Sequence, residues 1–222
     1  MPKRVLPFIL VLGLALTGCR KAQESAPAAG ALASPAAGAF VRAVDGKFVL
    51  AGKVYRFVGV NFWQGMNLGS KGPGGDRARL VGELDRLREL GLTNLRVVAA
   101  SEGPNTEPHR IVPALMISPG VYDEEVLDGL DFLVAEMGKR GMKAVMMLNN
   151  FWEWTGGMAQ YVSWHEKRPI PYPGDYSVFM AFSAKFYSCP ECQTWYRNHI
   201  TMLIDRVNPY TGVKYRDDPA VF

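Results

Sequence analysis

Residues 61–76 read NFWQGMNLGSKGPGGD, and the nature of this segment decides the fold. It follows YRFVGVN at 55–61, an apolar run that reads as a buried strand. It precedes GDRARLVGELDRLRELG at 75–91, where Leu80, Leu84, Leu87 and Leu90 recur at helical spacing and Gly91 supplies a stop. A strand, a glycine-bearing turn and a helix could open a dinucleotide-binding unit. That unit needs G-x-G-x-x-G in its first turn, because backbone must approach a pyrophosphate closely. Here the connection is long, the fingerprint is missing, and GPGG alone is a weak match.

The same alternation continues along the chain. TNLRVVAA at 93–100 reads as a second buried strand, followed by a proline-bearing loop over 101–120. Residues 122–141 form an amphipathic helix with acids at its start and Lys-Arg at its end. MKAVMMLN at 142–149 is a third strand, 190–207 a further helix, and DPAVF at 218–222 the beginning of a fourth strand. Upstream, 48–50 and 54–57 flank AGK as a small hairpin. Strands apolar on both faces, alternating with helices, predict a parallel sheet covered by helices. A doubly wound sheet and an eightfold barrel compete. Long, aromatic-rich loops after the strands favour the barrel, whose active site is built from such loops. The expected fold class is therefore α/β, a (β/α)8 TIM barrel.

The loop after the third strand, NNFWEWTGGMAQYVSW at 149–164, holds three of the chain's five tryptophans. It shows neither helix nor strand spacing, so a core role does not explain it. At a barrel rim, with Trp63 after the first strand, such rings suit flat ligands with CH-rich faces, and sugars are such ligands. Any single Trp could equally pack the loop.

At 48% hydrophobic and 21% charged, the composition is that of a folded globular domain. The opening MPKRVLPFILVLGLALTGC at 1–19 has a basic start and a short apolar run, the pattern of a secretory signal over 1–18. The ending LTGC resembles a bacterial lipobox, which makes Cys19 the lipidated residue; the plainer alternative is an ordinary signal with an incidental Cys. Residues 19–39, rich in Ala, Pro, Ser and Gly, read as a flexible linker, and the folded domain is expected over 40–222. Without Lys3 and Arg4 the chain keeps 23 Lys and Arg against 21 Asp and Glu. That balance, with no basic cluster, gives no reason to propose nucleic acid. The expected location is export as an outer-membrane or cell-surface lipoprotein tethered through Cys19, with secretion as the alternative. Cys189 and Cys192 form a disulfide or stay as thiols; redox chemistry is a weaker alternative, and zinc would need more ligands than His199 adds. Ser188 and Glu191 are spaced as a capping box.

Four stretches carry a resemblance: FVGVNFWQGMNLGS at 57–70, TNLRVVAASEGP at 93–104, LNNFWEWTGGMAQYVSW at 148–164 and FYSCPECQTWYRNHI at 186–200. Together they resemble bacterial endo-β-1,4-mannanases of glycoside hydrolase family 5, over roughly residues 40–222. The resemblance implies an eightfold barrel that cleaves internal bonds of mannan, glucomannan or galactomannan with retention, without metal or organic cofactor. It also implies two catalytic glutamates, about 5 Å apart in such mechanisms, at the ends of the fourth and seventh strands. Both are expected beyond Phe222, so the chain holds about three and a half strand–helix units and no catalytic residue.

Within the chain, the resemblance gives Arg96 a supporting role: it orients the nucleophile and keeps it ionised. Its alternative is a side chain snorkelling from a strand. Trp63, Trp152 and Trp154 are candidate sugar platforms. Asn149 and Asn150 either bond sugar hydroxyls or cap the strand end. Glu102 and Glu153 follow strands and could face the rim, but match non-catalytic positions. His109 and His165 lie in loops, and His199 is expected to be structural. Two rival functions stand beside the mannanase: a cellulase or glucanase of the same family, and a non-catalytic carbohydrate-binding lipoprotein.

Overall fold

The computed structural model describes residues 39–172 and 174–222. The expected leader, Cys19 and all of the linker but residue 39 lie outside the described residues. Among the described residues no helix is long and apolar enough to cross a membrane.

The first element is an antiparallel sheet of β1 (Arg42–Val44), β2 (Lys47–Leu50) and β3 (Lys53–Val54). Two-residue turns join them, Asp45-Gly46 and Ala51-Gly52, all at positive φ, which matches the twist of hairpin strands. Only the second hairpin was expected, although Asp45-Gly46 is a standard signal for the first. Phe48 and Tyr55 gather with Phe57 and Phe222 into an aromatic cluster, the rings of Phe48 and Phe222 lying 5.1 Å apart.

The parallel sheet follows: β4 (Gly59–Phe62), β5 (Asn94–Val98) and a third strand at Lys143–Met147, in that order. Between β4 and β5 run α1 (Gly65–Gly69) and α2 (Arg77–Glu89). Between β5 and the third strand come a small hairpin, β6 (Met116–Ser118) with β7 (Val121–Tyr122), then α3 (Glu124–Lys139); the third parallel strand is thus β8. A parallel bridge from Ala144 to Val221 begins a fourth strand at the place expected. Register sets Asn61, Arg96 and Val145 side by side. Their face is open, while Leu95, Val97 and Ala144 are buried against the helices. The first strand is shorter than 55–61 predicts, and Val58 is exposed.

The segment at 61–76 owes its glycines to helix packing. α1 lies against α3 so closely that a Cβ on Gly69 would stand 2.2 Å from the Gly129 carbonyl oxygen. One on Gly129 would stand 2.4 Å from that of Met66. No side chain fits between two backbones at that distance. α2 starts at Asp76, which accepts from the Arg79 amide, and buries Leu80 and Leu84; Leu90 is a C-cap and exposed rather than part of the apolar stripe. α3 starts at Asp123, which accepts from the Glu125 and Val126 amides. Its buried Asp131 holds Arg206 through both carboxylate oxygens and accepts from Tyr215 Oη at 2.8 Å.

A second core forms around the aromatic stretch, and here the expectations need correcting. Residues 149–164 are not a plain loop: a short 3₁₀ turn (Glu153–Thr155) leads into α4 (Gly157–Glu166). α5 (Tyr176–Ala184) was not foreseen, because its sequence YSVFMAFSA is apolar all round and shows no stripe. The last helix, α6 (Pro190–Asp205), is capped by Cys189 rather than Ser188: Cys189 Sγ accepts from the Cys192 amide. Cys189 and Cys192 are disulfide-bonded and pack with Tyr161, Phe179 and Phe186.

Candidate active site

An open cleft of about 770 Å³ lies over the ends of the parallel strands. Its floor is Asn61, Arg96, Val98 and Met147, from three neighbouring strands. Its walls are Trp63 and, from later connections, His109, Arg110, Asn150, Glu153, Trp154 and Tyr176. Trp63 and Trp154 are 56% and 54% exposed, so both ring faces can still receive an apolar partner.

The wall is shaped by two glycines. Gly156 and Gly157 both have positive φ, at 85° and 55°. A Cβ on Gly156 would stand 2.3 Å from the Glu102 carbonyl oxygen, and one on Gly157 2.1 Å from that of Asn150. The Trp154 carbonyl accepts from the Ile111 amide at 2.8 Å, which ties the aromatic turn to the loop carrying His109 and Arg110. Arg110 Nη1 bonds the Glu102 carbonyl and Gln160 Oε1, and its other Nη donates to Tyr172 Oη.

The named sequence candidates fall into three groups. Arg96, Trp63, Trp154 and Asn150 line the cleft, as do His109 and Glu153. Trp152 does not line it: its ring stacks 6.5 Å from Phe179 and packs into the second core. Asn149 lies off the cleft and accepts from the Asn150 amide, while Asn150 Oδ1 accepts from the Trp152 amide; both thus shape the strand end. His165 sits on the surface, 2.9 Å from Glu191. His199 is buried; its Nε2 donates to the Ala99 carbonyl at 3.1 Å and its Nδ1 pairs with the Tyr122 hydroxyl at 3.3 Å, and burial pushes its pKa down to about 4. Arg110 and Tyr176 were not foreseen, since only the folded loops bring them to the rim.

Electrostatically, the two early carboxylates differ. Glu102 is wholly buried behind the wall, and loss of solvent pushes its pKa up to about 7 against the pull of the Gly157 amide and Arg110. Glu153 is almost buried but lines the cleft, where Oε1 accepts from Tyr176 Oη at 3.2 Å; its charge raises the Tyr176 pKa. Glu153 is the single carboxylate lining the cleft among the described residues. No cluster of three His, Cys, Asp or Glu that could hold a metal occurs among the described residues.

A family profile for GH family 5 β-mannosidase-like proteins matches residues 38–222. The chain belongs to glycoside hydrolase family 5. Among solved structures, this family 5 chain is similar to the family 5 mannosidase of Rhizomucor miehei, at 42% identity and a TM-score of 0.81. The match covers 83% of this chain and 47% of that one. A mutant of the same fungal mannosidase has been solved with mannosyl-fructose. The endo-1,4-β-mannanase of that fungus matches at 24% identity and a TM-score of 0.66, which bears on the fold alone. Mannan endo-1,4-β-mannosidase 1 of Solanum lycopersicum is 33% identical over 172 residues, 78% of this chain and 39% of its own length. The fold is thus part of a family 5 (β/α)8 barrel, and the chain spans under half the length of these relatives.

Proposed function

We propose that the protein to which this chain contributes hydrolyses internal β-1,4-mannosidic bonds of mannan, glucomannan or galactomannan by double displacement. The observation that carries this reading is Arg96 on the floor of an open cleft walled by Trp63 and Trp154. Two rings offer apolar faces to sugar, and a guanidinium on the floor can hold a reacting carboxylate ionised. Membership of family 5 and similarity to proteins described as mannosidases support it. In this reading the two reacting glutamates lie beyond residue 222, and Trp63, Trp154 and Asn150 contact substrate. Product analysis on the full-length enzyme tests it. A fall in mannan viscosity ahead of reducing-sugar release, with the β-anomer formed first, is expected; inert mannan with hydrolysed cellulose would overturn it.

A second reading is favoured by the 42% identity with a protein described as a mannosidase and solved with a two-sugar ligand. Here the enzyme removes single mannose units from short mannosides. Release of mannose alone from mannotetraose separates this from internal cleavage. We also propose export and anchoring through lipid on Cys19; Cys19→Ala should then move the protein from the detergent phase to the aqueous phase.

A further inference from the structure

We propose that Glu102 is a positioning residue for substrate binding: from behind the cleft it fixes the aromatic wall that presents Trp154 and Glu153 to the sugar. The inference rests on reading the cleft as a β-mannoside site.

Glu102 follows β5 and has no exposed surface. A carboxylate in such a place is costly unless its bonds compensate, and an apolar side chain could fill the same volume. Its bonds all go to one segment or to that segment's other holder. Oε2 accepts from the Gly157 amide at 2.8 Å. Its own amide donates to the Thr155 carbonyl at 2.7 Å. Its carbonyl accepts from Arg110 Nη1 at 2.7 Å, and Arg110 reaches on to Gln160 in α4. With the Ile111 amide on the Trp154 carbonyl, residues 154, 155 and 157 are each held by the backbone or side chain of 102 and 111. Gly156 lies so close to the Glu102 carbonyl that no Cβ fits. The backbone bonds to 154 and 155 remain whatever side chain stands at 102; the carboxylate adds the hold on Gly157 through Oε2, while its Oε1 has no partner among the described residues. Without the carboxylate the Gly157 amide loses its acceptor, at the first turn of α4 where the helix offers no substitute.

The test uses the full-length enzyme with Glu102→Gln, Glu102→Asp and Glu102→Leu, reading kcat and KM on mannotetraose and amide hydrogen exchange. Gln keeps an acceptor at the same reach, so KM should stay within about twofold of wild type. Asp, one methylene shorter, and Leu should raise KM about tenfold while kcat changes less than about threefold. In both, exchange at 154–158 should quicken while 94–98 stays protected. Unchanged KM in the Asp and Leu variants, or a fall in kcat with KM held, overturns the proposal. Should wild type cleave no mannoside, the reading of the site fails, and exchange alone judges Glu102. Unaltered protection at 154–158 in the Asp and Leu variants then overturns the positioning role.

Discussion

Tyr176 Oη donates to Glu153 Oε1 at 3.2 Å, joining the start of α5 to the turn that carries Trp154. The two residues lie 23 apart in sequence and share one wall of the cleft. Tyr176→Phe removes this bond but keeps the ring. It should weaken oligosaccharide binding by about 1 kcal/mol, the net worth of one such bond, measured by calorimetric titration of the full-length enzyme with mannotetraose.

Trp152 and Trp154 should part company on substitution. Trp154→Ala removes a ring that is already half exposed, 6.1 Å from that of Trp152, and should cost binding with a smaller change in Tm than Trp152→Ala. Trp152→Ala opens a hole beside Phe179 and should cost about 3 kcal/mol of stability. Thermal scans and titrations on both variants check the contrast; equal losses of binding with unchanged Tm would contradict the packing role of Trp152.

Three glycines give opposite signs. Gly82 lies within α2 with open space at its missing Cβ, so Gly82→Ala should stabilise by about 0.5–1 kcal/mol. Gly69→Ala and Gly129→Ala force a methyl into backbone at 2.2 and 2.4 Å, and each should destabilise by about 2–3 kcal/mol. Chemical denaturation midpoints separate these outcomes.

Glu102 and His199 oppose each other in acid. The Glu102 pKa rises on folding from 4.5 to about 7. Its stabilising share is therefore full below 4.5 and lost as pH rises through 7, about 3 kcal/mol in all. The His199 pKa falls from 6.5 to about 4, so its share is full above 6.5 and lost as pH drops through 4, by about the same amount. Arg110, Tyr161, Tyr122 and Tyr196 lie in the field of Glu102. Glu102→Gln should steepen the loss of Tm between pH 7 and 4 relative to wild type. His199→Gln should reverse that slope over the same range. Parallel Tm–pH curves for all three proteins would refute the pair of assignments.

The 222-residue chain by itself should release no reducing sugar from mannan. Double displacement needs two carboxyl groups about 5 Å apart, and Glu153 is the single one lining the cleft among the described residues. Turnover by the purified chain, abolished by Glu153→Gln, would overturn this.

Much of the architecture was legible because each long element buries one side. Leu80 and Leu84 announced α2, and the apolar runs around Leu95 and Ala144 announced β5 and β8. Arg96 stood out as a charge inside such a run. α1 was illegible: five residues, two of them glycine, carry no period. α4 was hidden because Ala159, Gln160, Tyr161 and Val162 are buried in succession, which erases the stripe. Glu153 was placed at the rim by its position after a strand, but Arg110 and Tyr176 reach the cleft through folded connections that no local pattern encodes. Of the three platform candidates, Trp152 looked the same as Trp154 in sequence, and only the presence of Phe179 separates them.

The contact of Phe48 with Phe222 has a consequence during synthesis. The hairpin that bears Phe48 leaves the ribosome early, while its partner ring is encoded far downstream. At ordinary elongation rates the gap is roughly ten to thirty seconds. Throughout that interval nascent Phe48, Tyr55 and Phe57 have no Phe222 to meet. They form an exposed aromatic group of the kind that chaperones cover during synthesis.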